Sequence, residues 1–373
     1  MKKPFHPMIM FMVYVFTILN ILSCNNSSDT SLPLASGPST PPDSNGTEDV
    51  NPSTNVPYKF HEEITKAGTA KINGKEYELV YFGDWPQSLK SKDVIVDEAT
   101  AMTQGYFTYY KGNDENWYVK CKENVYAYGL TYSDGITEVQ QASSNSFKYF
   151  KVEPIKWRIL STNYDGKKLL LAESILTGGI PYYLQEENRT IDFTKIYPSN
   201  YKYSTIRAFL NGVYEQDDVQ PKKYDGKGFL QTAFSLRAQD LIQKTSVDNS
   251  ARSTVQDSSE NNIQNYYASD TPTYDKIFLL SEQEVTKAEF GFEKMEDHTL
   301  GNVRVRYTPD YAKANYVQFW MSDMAGWWWL RSPYDNNAYT VRSVYNDGRA
   351  YSVVIHSIDY TYGGIVPALC VSN

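Results

Sequence analysis

Apolar and charged positions alternate along Pro154-Ile155-Lys156-Trp157-Arg158-Ile159-Leu160, the period of a half-buried strand. A second run, Lys168 to Ala172, follows Asn163-Tyr164-Asp165-Gly166, a turn signal, so the two runs are expected to pair as a hairpin. Upstream, Glu78 to Gly83 reads as a strand ending at Asp84-Trp85-Pro86. Elsewhere the spacing is helical. Ser204 to Gly212 places Ile206, Phe209 and Leu210 on one face, with Gly212 near the end, and Gln231 to Ile242 has apolar residues at helical intervals. Ser281-Glu282-Gln283-Glu284 is a capping box, expected to open a helix directly after a strand at Lys276 to Leu280. Thr308-Pro309-Asp310 supplies an N-cap with proline at the first helical position, starting a helix through about Phe319. No segment repeats at a solenoid period. Strand–helix alternation is too short for a doubly wound sheet, so the class is α+β with much irregular backbone.

The pattern changes character in the last 47 residues, from Trp327 onward. Two apolar blocks, Trp327-Trp328-Trp329-Leu330 and Gly364-Ile365-Val366-Pro367-Ala368-Leu369, bracket a segment with few places to bury anything. That segment holds Tyr334, Asp335, Asn336, Asn337, Tyr339, Tyr345, Asn346, Tyr351, Ser352, His356, Ser357, Asp359, Tyr360 and Tyr362, the candidate ligand-binding set. Tyrosine mixed with small polar residues is the composition of antibody paratopes: tyrosine gives rigid amphipathic contact area, and Asn and Ser give adaptable hydrogen bonds. A Tyr-rich surface of no consequence is the competing reading, since the chain carries 32 Tyr. Trp327 to Trp329, Val341, Val344, Val353, Val354, Ile355, Ile365, Val366 and Leu369 are expected in the core, with Arg331 and Arg342 pairing beneath the polar segment. Asn346-Asp347-Gly348 reads as a hairpin turn.

The opposite end carries a targeting signal. Lys2 and Lys3 precede an apolar run from Pro7 to Leu22, and Ser23 precedes Cys24. A charged start, a short apolar core and a small residue at the cut define a secretory signal rather than a fold element. Ile21-Leu22-Ser23-Cys24 resembles a bacterial lipobox, which makes Cys24 the lipidation site. Residues 24–57, rich in Ser, Asn, Thr and Pro, have too little to bury to offset the entropy of ordering them and read as a disordered tether. The expected organisation is a signal over 1–23, the tether over 24–57 and one ligand-binding domain over 58–373. The expected location is the cell envelope, lipid-anchored, at the outer membrane and surface-exposed.

Composition narrows the partners. The 41% hydrophobic and 15% aromatic content supports a packed core. The net charge of −8 becomes −10 once Lys2 and Lys3 are set aside, and no basic stripe occurs, which argues against nucleic acid. Membrane contact is expected through the lipid anchor only. With Cys24 assigned, Cys121 and Cys370 remain, as one bridge or as two buried thiols. Catalysis finds little support: His298 and His356 lack metal-ligand spacing, no nucleophile elbow or P-loop occurs, and Glu186-Glu187 reads as a solvated loop pair. No cofactor and no metal are expected.

Six ordered blocks carry a resemblance: Tyr81 to Ser88, Pro154 to Leu160, Ser204 to Asn211, Lys276 to Ser281, Trp328-Trp329-Leu330-Arg331-Ser332-Pro333 and Asn346-Asp347-Gly348. They are similar to an uncharacterised bacterial domain family whose members end in a Gly-Val-Arg-Pro-Ala-Leu type strand. With the lipobox and the Tyr- and Asn-rich tail, the chain resembles the Treponema variable protein A-like lipoproteins, whose C-terminal segment is diversified by a diversity-generating retroelement. The resemblance implies a C-type-lectin-like fold of the formylglycine-generating-enzyme subclass, with a C-terminal display face. It implies a variable region over 331–373 and ligands that are proteins or host or bacterial surface molecules. Val366 departs from the arginine usual in the broader family, and Cys370 from an aromatic. A fixed-specificity envelope scaffold and an unrecognised oxidase or hydrolase are the alternative functions.

Overall fold

The computed structural model describes residues 58, 60–126, 130–139, 146–183, 189–191, 194–213, 224–255, 264–269, 271–292, 302–320, 324–350 and 355–373. The signal, the tether and Cys24 therefore lie outside the described residues, as do Glu186, Glu187, His298, Tyr351, Ser352, Val353 and Val354. What is described is mixed and strand-rich, an α+β arrangement.

One large sheet organises the chain. Its strands are β1 (Thr65–Ile72), β2 (Lys75–Leu89), β3 (Val96–Gln104), β4 (Phe107–Gly112), β5 (Trp117–Lys122), β6 (Phe147–Tyr164) and β7 (Lys167–Ala172). From later in the chain β8 (Ile277–Phe278) joins it, and a smaller sheet holds β9 (Trp328–Pro333), β10 (Thr340–Val344) and β11 (Ile355–Ser357). The last strand, β12 (Ala368–Val371), returns to the large sheet between β7 and β8. The spine is β6, which pairs with β2 along one side and with β7 and then β5 along the other. The start and the end of the described chain therefore share one core.

The expected hairpin is present. Strands β6 and β7 meet at Asp165 (φ 52°) and Gly166 (φ 73°), the paired positive φ that a tight antiparallel turn requires. Alternation along β6 is not purely apolar-in and charged-out, because Arg158 is buried and ion-pairs with Glu173 at 2.5 Å while donating to the Val303 carbonyl. The expected end of β2 at Asp84-Trp85-Pro86 is corrected: the strand continues to Leu89, with register shifts between Tyr81 and Asp84 and between Pro86 and Leu89. A proline lacks the donor a ladder needs, and an irregular register accommodates it.

Helix α1 (Thr205–Asn211) matches its signals: the Ser204 side chain accepts from the Arg207 N–H, and Gly212 closes the helix in the left-handed conformation. Three other helical expectations change. The run from Gln231 to Ile242 is broken into α2 (Phe229–Ala233) and α3 (Leu236–Leu241), because Phe234 is extended and Ser235 caps a new start. The capping box is made, with Ser281 N donating to Glu284 Oε2 at 2.8 Å and Glu284 N to Ser281 Oγ at 3.2 Å. It opens 3-10 turns at Glu284–Thr286 and Ala288–Phe290 rather than an α-helix. Helix α4 (Asp310–Ala314) stops five residues short of Phe319, since Tyr316 adopts φ 68°. Among the described residues no helix is long and apolar enough to cross a membrane.

Candidate functional site

The small sheet β9–β10–β11 frames the C-terminal face. Trp327, Trp328, Trp329 and Leu330 are all fully buried, and Trp328 Nε1 donates to the Arg304 carbonyl at 3.2 Å. Arg331 is buried with them. Its guanidinium pairs with Glu284 at 2.5 Å and donates to the carbonyls of Leu279 and Asp248. Burial alone would raise the Glu284 carboxyl, but Arg331 and the hydrogen bonds outweigh it and hold the group below the usual carboxylate range. Arg342 is rooted the same way, with Nε 3.0 Å from Glu282, and it reaches upward to Asp335 at 3.7 Å while lying 4.6 Å from the centre of the Tyr334 ring. Both arginines thus pair with carboxylates or carbonyls as their pattern implied, and Arg342 also reaches the loop that joins β9 to β10.

Pairing sets which expected residues meet. Thr340 lies opposite Ser357, and Ile358 N donates to the Tyr339 carbonyl at 3.0 Å, so the 334–339 and 357–362 loops share one end of the sheet. Asp335, Asn336, Asn337, Tyr339, Asp359 and Tyr360 are exposed there, and Tyr334, Ser357 and Tyr362 are half-buried. Asn337 closes its own turn by accepting from Tyr339 N at 2.8 Å. Tyr345 and Asn346 sit at the other end of the sheet, at the turn whose Gly348 has φ 81°. Tyr345 packs on Trp320 with centroids 4.9 Å apart, and Asn346 is 8% exposed, so these two do not join the first group. Tyr351 and Ser352 lie outside the described residues. Ile355, expected in the core, is only half-buried.

His356 is packed rather than displayed. Its ring stacks on Trp327, with centroids 3.6 Å apart and 6° between planes, and Nδ1 shares a hydrogen bond of 2.7 Å with Ser343 Oγ. Burial pushes the imidazole down to about 4, which keeps it neutral near pH 7. From His356 an aromatic cluster runs outward. Tyr360 and Tyr362 stack at 4.7 Å, and Tyr362 meets Tyr126 at 4.6 Å and Tyr316 at 6.3 Å. Burial, then Tyr360, Tyr126 and Asp359, push the Tyr362 phenol upward.

Tyr126 and Tyr316 were invisible to the sequence reading, being two of many tyrosines with no motif around them. A second omission is His61, 23 positions from Asp84. Its backbone N–H and Nδ1 both bond the buried Asp84 carboxylate, at 2.6 and 2.5 Å. The arrangement fastens the start of the domain to β2, and burial first of all raises the Asp84 carboxyl against the opposing pull of His61. Cys370 is a free buried thiol, pushed up to about 11 by burial, so the optional bridge from Cys121 to Cys370 is not made. Among the described residues no group of three or more His, Cys, Asp or Glu is placed to hold a metal ion.

Residues 165–373, more than half of the chain and including the whole C-terminal face, match the family described as Domain of unknown function (DUF6273). No curated protein and no solved structure matches the chain.

Proposed function

This chain belongs to the DUF6273 family, and we propose that it is a lipid-anchored surface protein that binds proteins or other surface molecules through its C-terminal face. One contrast carries the reading. Trp327 to Leu330 are fully buried, while the loops they support turn Asn336, Tyr339, Asp359 and Tyr360 outward. A face whose framework and whose contacts are separate residues tolerates changes in the contacts, because substitutions away from packing shift stability by about 0.5 kcal/mol or less. Arg342 strengthens this separation by linking Asp335 of the loop to the buried Glu282, while Arg331 is tied to Glu284 within the framework.

In this reading Cys24 bears the acyl anchor, residues 24–57 form the tether, and the domain stands outside the outer membrane. One acyl chain anchors only marginally, so multiple acylation is part of the reading. The fold is C-type-lectin-like, of the formylglycine-generating-enzyme type, and the segment 331–373 is diversified by a retroelement as in the Treponema variable protein A-like lipoproteins. No catalytic role is assigned to any residue.

The test is to sequence the 3′ end of the gene deeply across a cultured population and its relatives. Adenine-directed changes should concentrate in the codons for Tyr334 to Tyr362 and spare those for Trp327 to Leu330. A uniform tail, with no adenine-rich template copy beside a reverse transcriptase gene, would refute diversification.

A further inference from the structure

Two half-buried tyrosines of the tail are each covered by an arginine. Arg342 lies 4.6 Å from the Tyr334 ring centre, and Arg349 lies 5.4 Å from that of Tyr345. Tyr360 and Tyr362 are arranged otherwise. Among the described residues no Lys or Arg is placed over either ring, and the carboxylate next to Tyr360 in the chain is the exposed Asp359. Aromatic faces carry negative electrostatic potential and attract cations most strongly where water is partly excluded. Tyr126 and Tyr360 are 37% and 36% exposed and each packs against Tyr362, so part of both rings is in contact with solvent.

The stack is also held in place. Gln318 N donates to the Tyr362 carbonyl at 2.9 Å, which ties the Tyr316 loop to the cluster. Tyr316 itself sits at φ 68°, a conformation that costs a non-glycine residue on the order of 1–3 kcal/mol and persists only where its surroundings enforce it. A rigid aromatic cluster of this kind loses little entropy on binding.

We infer that Tyr126 and Tyr316, outside the C-terminal segment, join Tyr360 and Tyr362 in a site for a cationic side chain, arginine or lysine, of a protein ligand, with Asp359 as counter-charge. This rests on reading the C-terminal face as the ligand face. It goes further in naming the partner's chemistry and in placing part of the face outside the last 47 residues. Such a ligand presents a basic surface, complementary to the net charge of −8 of this chain.

The experiment uses the full-length protein in detergent and an immobilised glycine-spaced arginine peptide, with the matching citrulline peptide as the neutral isostere. Wild type should bind the arginine peptide and not the citrulline peptide, with affinity falling as salt rises. The double variant Tyr126→Leu/Tyr360→Leu should lose about tenfold or more, and Asp359→Asn about threefold. Tyr126→Phe/Tyr360→Phe keeps the rings and should retain binding, which also guards against a variant that fails to fold. Equal binding of both peptides, or equal loss in the Phe and Leu variants, would overturn the inference, since the hydroxyls or simple apolar contact would then be responsible. A uniform gene tail with arginine binding intact would remove diversification and leave this site standing.

Discussion

Gly363, next in the chain to Tyr362, packs directly against the buried rings of Trp327 and Trp329. A Cβ built on it would lie 2.4 Å from Trp329 Nε1 and 2.5 Å from Trp327 Cη2. Its backbone is not left-handed, so Gly363→Ala tests space alone. Both rings are fully buried, and Trp327 is already stacked on His356 at 3.6 Å, so neither can retreat by the ~1 Å needed without moving a neighbour. Overpacking of this kind costs about 1–3 kcal/mol, and two rigid rings place this case at the upper end. Urea unfolding followed by tryptophan fluorescence gives the loss, and near-UV circular dichroism should show the rings disturbed. Gly166→Ala is the control. Gly166 has φ 73° and nothing within 4 Å of the added carbon, so it should cost only the left-handed penalty of about 1–2 kcal/mol and leave the aromatic spectrum unchanged. In a Trp327→Leu background one of the two collisions disappears, and the Gly363→Ala penalty should shrink. A neutral Gly363→Ala, or strict additivity with Trp327→Leu, would refute the packing described around this glycine.

Four further outcomes are expected. Trp328→Ala should lose about 3–5 kcal/mol by cavity formation, whereas Asn336→Ala/Tyr339→Ala should melt within about 0.5 kcal/mol of wild type; the reverse order in thermal melts would invert core and face. Arg331→Leu leaves Glu284 buried without its cation and should cost about 3–5 kcal/mol. Glu284 titrates below the usual carboxylate range, so its contribution is complete above the unfolded carboxylate pKa and disappears as pH falls through the lower folded value; urea midpoints of wild type and Glu284→Gln against pH would show the two curves converging in acid if this is right. His356 has a folded pKa of about 4 against an unfolded value near 6.5, so stability should be full above the latter and fall between the two as the unfolded chain takes up the proton. Replacing it by Gln should flatten that interval, and an imidazole that titrates by NMR near 6.5 would contradict the packing of the ring against Trp327.

Local signals in the sequence survived where local chemistry decides the structure. Ser204 and Gly212 bound α1, and Asp165-Gly166 turns the β6–β7 hairpin, because caps and positive-φ turns are settled within a few residues. The misread elements are those where distant contacts decide. Strand β2 runs past Pro86 because β6 supplies a partner up to Phe150, and α4 ends early because the chain must turn at Tyr316 to reach Tyr362. The exposed loop residues were legible from composition, whereas the inward positions of Asn346 and His356 were not. Both are polar, and only the Trp327 stack and the turn at Gly348 place them. Tyr126 and His61 depend entirely on partners far along the chain, Tyr362 and Asp84, and no pattern in one sequence joins them.

The clasp between His61 and Asp84 determines how the molecule bears load. Any pull on the chain preceding Tyr58 arrives first at Tyr58, buried and stacked on Tyr109 at 5.0 Å, then at that clasp, at the bond from Gly83 N to the His61 carbonyl, and at the ion pair of Arg237 with Glu63. Behind them stands β1, an outer strand that pairs with β2 alone. Traction at this end therefore peels away a strap and one edge strand before it reaches the β2–β6 ladder. The strands that carry the exposed tyrosines are anchored elsewhere, through β12 at the far side of the sheet. The clasp and β1 together act as a mechanical fuse, yielding first under a pull at this end while the strands of the C-terminal sheet stay in place.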